Sequence, residues 1–138
     1  MIDLKYITII LIAHFLADFF QSRKVADNKH KCFITLLKHA SKYTFIFFLV
    51  FFTIFSFERF GLNVFSIKSF FLLDKIFYSC ILYILFNGFA HLVVDFGTSK
   101  TTHYFHKHSK IMLFFSTIGF DQMIHSLILL YSFYYIVL

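Results

Sequence analysis

Apolar residues fall into four long runs separated by short polar segments. The runs cover about residues 2–20, 33–57, 70–96 and 111–138, and a helix needs roughly 20 apolar residues to cross a bilayer. The pattern therefore predicts an all-α integral membrane protein. We expect a four-transmembrane-helix bundle that forms one domain over residues 1–138, with the lipid bilayer as its main partner.

Composition supports this fold class. Of the 138 residues, 59% are hydrophobic and 14% are charged, whereas a soluble domain has about 25% charged residues. The net charge of +6 raises the question of nucleic-acid binding, but in a membrane protein basic residues usually report topology. We therefore expect no nucleic-acid partner. The two cysteines lack a C-x-x-C spacing, so they predict neither a disulfide framework nor a thiolate metal site.

The linkers at residues 21–32 and 97–110 hold most of the lysines and arginines. These linkers share one side of a four-helix protein, and the positive-inside rule makes that side cytoplasmic. Both termini are then external. We predict a multi-pass protein of a cytoplasmic (inner) membrane.

A short internal repeat links the first and third runs. The string AHFLADF at residues 13–19 reappears as AHLVVDF at residues 90–96. Two parallel two-helix repeats, related by a pseudo-two-fold axis along the membrane normal, would bring the two strings face to face. Chance similarity between short apolar strings is the alternative.

Histidine and aspartate residues interrupt the apolar runs. An ionisable residue inside a membrane helix costs roughly 2.5–3.5 kcal/mol, so it is a functional-site hypothesis by default. Three pairs are spaced four residues apart, which places both members on one helical face. Counted at about 1.5 Å per residue, the pairs and one further histidine lie in the cytoplasmic half and can converge on one pocket. These residues are His14, Asp18, His39, His91, Asp95, Asp121 and His125.

Imidazoles and carboxylates in a helical bundle are typical of a divalent-metal site, and together they suit zinc, manganese or iron. All seven residues are candidate ligands. Asp18, Asp95 and Asp121 are also candidates for a general base or for a hydrogen-bonding role behind the ligands. Gln21 and Gln122 are candidates for hydrogen bonds to the ligands. The chemistry that such a site favours is hydrolysis of a lipid-linked or phosphorylated substrate, as in a metal-dependent membrane hydrolase.

Other interpretations stay open at this point. Asp/His chains also form proton or ion paths in transport proteins, and polar pairs can join helices without any chemistry, as in a membrane scaffold or effector. The histidines at 103, 106 and 108 are expected to form a solvated interfacial cluster on a flexible linker. The sequence leaves oligomer formation open.

Several of these strings resemble a known family. They are AHxxADF at residues 13–19 with Gln21, AxNK at 26–29, His39, HxxxD at 91–95 and FDQxxH at 120–125. Together they look like the small bacterial and phage membrane proteins grouped as domain of unknown function 3307. The resemblance implies a bacterial or phage inner-membrane protein in which the His/Asp positions are characteristic, and it implies no particular reaction. A looser likeness to bacterial membrane-bound metal-dependent hydrolases favours an enzyme.

Overall fold

The computed structural model describes residues 4–19, 31–61 and 67–137. The described residues form four helices: α1 (Leu4–Phe19), α2 (Phe33–Gly61), α3 (Ile67–Lys107) and α4 (Ile111–Ile136). The all-α prediction is confirmed for this part of the chain. The chain contains no proline, which would remove a backbone donor and kink a helix.

Three of the helices are long and apolar enough to cross a membrane, over Phe33–Ile54, Phe77–Lys107 and Ile111–Ile136. Large apolar side chains such as Phe45, Phe89 and Phe115 are exposed around the bundle, as expected for a surface that faces lipid. Helix α1 has 16 residues, or about 24 Å at 1.5 Å per residue. Its crossing of the membrane remains a prediction.

Helix α3 differs from the sequence-based expectation. The segment expected to be a linker, residues 97–110, is helical as far as Lys107. Threonine hydroxyls in this polar segment bond to carbonyls one turn earlier, as in Thr101 Oγ1 to Gly97 O at 3.1 Å and Thr102 Oγ1 to Thr98 O at 2.7 Å. Because these hydroxyls are satisfied inside the helix, they do not compete with it. The helix therefore continues to Lys107, beyond the end of its apolar run.

A tight turn joins α3 to α4. Ser109 adopts a positive φ of 55°, the amide of Lys110 donates to Phe105 O at 2.9 Å, and the amide of Ser109 donates to His106 O at 3.1 Å. This is the Schellman arrangement, which usually has glycine at the left-handed position. The turn makes α3 and α4 antiparallel neighbours.

The four helices form a closed ring. Helix α1 packs on α2, α2 on α3, α3 on α4 and α4 on α1. The two copies of the repeat therefore lie diagonally across the bundle, with the rings of His14 and His91 6.3 Å apart between centroids. Gene duplication itself stays a prediction.

The bundle interior divides into a polar layer and an apolar layer. The apolar layer lies toward the N-terminus of α1 and contains Phe47, Phe51, Tyr83 and Phe133, which are nearly inaccessible. The polar layer lies near the other end, where α1 ends and α2 begins. Asp95 is about 18 Å from Lys107 along α3, whereas His39 is only about 9 Å from the start of α2. The α3–α4 hairpin therefore projects beyond α2 on this side.

Helices α2 and α3 approach closely at Gly88. A Cβ atom added there would overlap Thr44 Oγ1. The hydroxyl of Thr44 is held by a 2.8 Å bond to Ala40 O. The close approach sets the spacing of α2 and α3 within one turn of the polar layer.

Candidate metal centre

The polar layer brings the seven predicted residues into the centre of the bundle. Each of the four helices contributes at least one of them, and their exposed fractions run from 0% to 8%. They are His14 and Asp18 on α1, His39 on α2, His91 and Asp95 on α3, and Asp121 and His125 on α4. The predicted His/Asp cluster is therefore present and buried.

Four ligand atoms from three helices converge around His39. Its Nε2 atom lies 3.1 Å from Asp18 Oδ1, 3.2 Å from Asp95 Oδ2 and 2.9 Å from His91 Nε2. The Nε2 atom of His91 lies 3.7 Å from the same two carboxylate oxygens. We call Asp18, His39, His91 and Asp95 the first group.

A second group shares Asp95 with the first. It consists of Asp95, Asp121 and His125, and one ligand atom of each lies within 4.8 Å of the others. The Nε2 atom of His125 is 3.5 Å from Asp95 Oδ1 and 3.5 Å from Asp121 Oδ1. Asp95 thus directs Oδ2 toward His39 of the first group and Oδ1 toward His125 of the second group.

The spacing within the groups fits metal coordination. Bonds of about 2.1 Å to a common ion place neighbouring ligand atoms roughly 3.0 Å apart in an octahedron and 3.4 Å apart in a tetrahedron. Hydrogen bonding alone explains the contacts of His39 poorly, because a single proton on Nε2 can serve only one of its three close neighbours. A cation at the centre of the first group would satisfy all four ligand atoms together.

His14 lies outside both groups. Its Nδ1 atom is 3.2 Å from the hydroxyl of Tyr43, and its Nε2 atom is 3.2 Å from Gln122 Oε1. The Nε2 atom of Gln122 donates in turn to Asp18 Oδ2 at 2.6 Å. His14 is therefore positioned to orient a candidate ligand through Gln122 and does not itself reach the shared centre. Gln21 lies outside the described residues.

Two residues that the sequence analysis did not single out also contact the site. The ring of Tyr43 stacks on His91, with centroids 3.9 Å apart and planes 6° apart. Thr98 Oγ1 donates to Asp121 Oδ1 at 2.6 Å. Tyr43 lies four residues after His39, so the same i,i+4 rule that paired the other residues would have found it.

A hydrogen bond between α3 and α4 lies next to the site, on the side of the apolar layer. Asn87, one turn before His91, donates to Ser132 Oγ at 2.9 Å and to Tyr83 O at 2.8 Å. Beyond it, the rings of Phe51, Tyr83 and Phe133 pack with centroids 5.2–6.4 Å apart. Aromatic packing therefore fills the bundle on this side of the cluster.

A groove between α3 and α4 opens beside the second group. It has a volume of about 490 Å³, and its walls include Thr98, Thr101, Ser116 and Thr117. Thr98 lies both in the groove wall and against Asp121, whose side chain is 11% exposed. The groove thus lies beside the cluster, because Thr98 belongs to its wall and contacts Asp121.

The histidines near the end of α3 lie apart from the cluster. His103 and His106 are on the last turns of the helix, and all three, including His108 in the turn, are exposed. His108 Nδ1 is 2.8 Å from Tyr104 O. Their expected solvated character agrees with this placement, but the segment is helical and not a flexible linker as far as Lys107.

Comparison with protein-family models, curated proteins and solved structures finds no match to this chain. The resemblance to domain of unknown function 3307 therefore rests on the quoted strings and remains a prediction.

Proposed function

We propose that this protein is a metal-dependent hydrolase of a bacterial inner membrane, acting on a lipid-linked or phosphorylated substrate from the cytoplasmic side. The observation that carries the proposal is the first group. Two imidazole nitrogens and two carboxylate oxygens from three helices meet with five of their spacings between 2.9 and 3.7 Å. That donor set suits zinc, manganese or iron.

The reaction needs a water molecule, an acidic centre and a proton acceptor. A divalent ion lowers the pKa of water and polarises a phosphoryl oxygen. The water oxygen forms a bond to phosphorus, the bond from phosphorus to the leaving oxygen breaks, and the leaving oxygen takes a proton. Asp121 is the group on the α4 side that can accept and return these protons, and the hydroxyl of Thr98 donates a hydrogen bond to it.

The location of the cluster supports a membrane-bound substrate. The groove beside Thr98 lies between α3 and α4, so a lipid bound against these two helices could bring its headgroup to the site. Lys100, Lys107 and Lys110 lie on the hairpin at the same end and can attract an anionic headgroup. The excess of basic residues at this end supports a cytoplasmic orientation.

The test is metal analysis and phosphate release on the purified protein in detergent. Elemental analysis should find stoichiometric zinc, manganese or iron. Mixed micelles of phosphatidic acid or a polyprenyl diphosphate should release inorganic phosphate. His39→Ala should lose both metal and activity, whereas His103→Ala, which removes an exposed histidine, should keep both. Protein without metal refutes the metal site, and metal-loaded protein that releases no phosphate from either lipid refutes the proposed hydrolysis of such lipids.

Transport of protons or ions is the alternative function from the sequence. A path through the bundle axis would have to pass the packed rings of Phe51, Tyr83 and Phe133, which weighs against it. Vesicles containing the protein should therefore show no pH or ion flux. A flux that Asp95→Asn abolishes would favour transport over hydrolysis.

A further inference from the structure

We propose that the cluster holds two divalent ions bridged by the carboxylate of Asp95. This inference rests on the proposed metal site and extends it. The first group would bind one ion, and Asp95, Asp121 and His125 would bind the other. In this arrangement His125 and Asp121 Oδ1 are ligands of the second ion, and Asp121 Oδ2 is left to take part in proton transfer.

The orientation of Asp95 is the first argument. Its side chain is fully buried, and its two oxygens face different imidazoles: Oδ2 lies 3.2 Å from His39 Nε2, and Oδ1 lies 3.5 Å from His125 Nε2. A carboxylate that binds one ion through each oxygen holds the two ions about 3.5–4 Å apart, which is the usual spacing in two-metal hydrolytic sites. Asp95 is therefore the residue common to both groups.

The environment of His125 is the second argument. Its Nε2 atom is buried and has no hydrogen-bond partner among the described residues, and it points between two carboxylate oxygens at 3.5 Å. That distance is longer than a good N–H···O bond but close to the spacing of two ligands on one ion. A divalent ion placed between this nitrogen and the two carboxylate oxygens would be coordinated by all three atoms.

Charge balance is the third argument. Asp18, Asp95 and Asp121 carry three negative charges when ionised, in a layer that is buried within the bundle. One divalent ion leaves this set with one negative unit, which would repel an anionic phosphate group. Two divalent ions give a net charge of one positive unit. An anionic phosphate group of a substrate then restores neutrality.

The two ions would not be equivalent. The first has four protein ligands, whereas the second has three and therefore keeps an open position, as catalytic sites do. Asp121 of the second group contacts Thr98 in the wall of the α3–α4 groove. A phosphate entering by the groove would therefore meet the second ion first.

Manganese provides a direct test that does not depend on activity. The purified wild-type protein in detergent is loaded with Mn²⁺, freed of excess ion and analysed for manganese per chain and by electron paramagnetic resonance. We expect two ions per chain with an exchange-coupled spectrum. His125→Ala should lower the content to one uncoupled ion, and Asp95→Asn should abolish the coupling because an amide cannot bridge through two oxygens. His103→Ala is the matched control and should retain two coupled ions.

The outcomes separate this inference from the proposed function. One uncoupled ion per wild-type chain overturns the two-ion site, while phosphate release by that protein would leave the hydrolase intact. No bound ion overturns both. Two coupled ions without phosphate release support the two-ion site and refute only the proposed hydrolysis. The wild-type measurement decides the stoichiometry even if a variant fails to fold.

Discussion

Substituting Gly88 by alanine should loosen the contact between α2 and α3. The added Cβ overlaps Thr44 Oγ1 and lies 3.2 Å from both Thr44 Cβ and Cγ2. Rotating the Thr44 side chain moves the hydroxyl away but breaks its 2.8 Å bond to Ala40 O. The Cβ of Thr44 stays too close after any rotation, so the two helices must separate.

The magnitude follows from two opposing effects. Overpacking a well-packed interior costs about 1–3 kcal/mol, while replacing glycine by alanine in a helix returns about 1 kcal/mol. We expect a net loss of up to about 2 kcal/mol, which corresponds to a fall in Tm of up to roughly 10 °C for a chain of this size. Because Gly88 is within one turn of His91, the 2.9 Å contact of His91 with His39 should also open. Metal affinity should then fall about 10-fold, as when an outer contact of a metal site is lost.

The two cysteines provide the assay. Cys80 packs against the apolar core and Cys32 is exposed, so in a Cys32→Ser background a thiol-reactive dye reports thermal unfolding through Cys80. Gly97→Ala is the matched control, because its Cβ meets nothing within 4 Å, and it should leave Tm unchanged or raise it. Adding Thr44→Ala to Gly88→Ala removes the overlapping hydroxyl but keeps the close Cβ of residue 44, so it should recover only part of the loss. Equal Tm values for the Gly88 and Gly97 variants would refute the close contact.

Three further results are expected. Ser109→Gly should raise the free energy of unfolding by about 0.5–1 kcal/mol, because Ser109 has a φ of 55°; a lower Tm would contradict this account of the turn. Thr98→Val should weaken metal binding about 10- to 100-fold, because it removes the donor to Asp121. Thr101→Val is the control, because it removes an exposed hydroxyl that is bonded within its own helix, and it should leave metal binding unchanged. Equal affinities of the two variants in a metal titration would count against the role of Thr98. Metal affinity should fall as the pH drops, because protons compete with the ion for the histidine nitrogens, and an affinity that is constant with pH would argue against histidine ligands.

Hydropathy predicted the four helices, but it predicted the end of a helix wrongly where polar residues continue the helix beyond the apolar run. The runs located α1 and α4 to within about two residues at each end, whereas α2 continues beyond its apolar run through Glu58 and Arg59 to Gly61. In α3 the apolar run stops at Phe96, but the following threonines bond to their own helix and carry it to Lys107. Hydropathy measures the preference for lipid and gives no information on such backbone-directed hydrogen bonds.

The i,i+4 spacing predicted which helical faces meet, and it did not predict which side chains reach the centre. His14 and His91 occupy equivalent positions in the repeat, yet only His91 joins the first group. Tyr43 explains part of the difference, since it stacks on His91 and directs its hydroxyl to His14. Thr98 was missed because one threonine in a polar segment has no distinguishing pattern until α4 brings Asp121 against it.

The candidate ligands come from all four helices of a closed ring, so an ion bound among them would act as a cross-link that the unfolded chain lacks. Binding to the folded state alone adds about 2.7 kcal/mol of stability when the free ion is at 100 times its dissociation constant. The supply of metal in the cell would then govern the lifetime of the protein as well as its chemistry. Under metal starvation the bundle would loosen and become a substrate for membrane proteases, and its abundance would follow the availability of the ion.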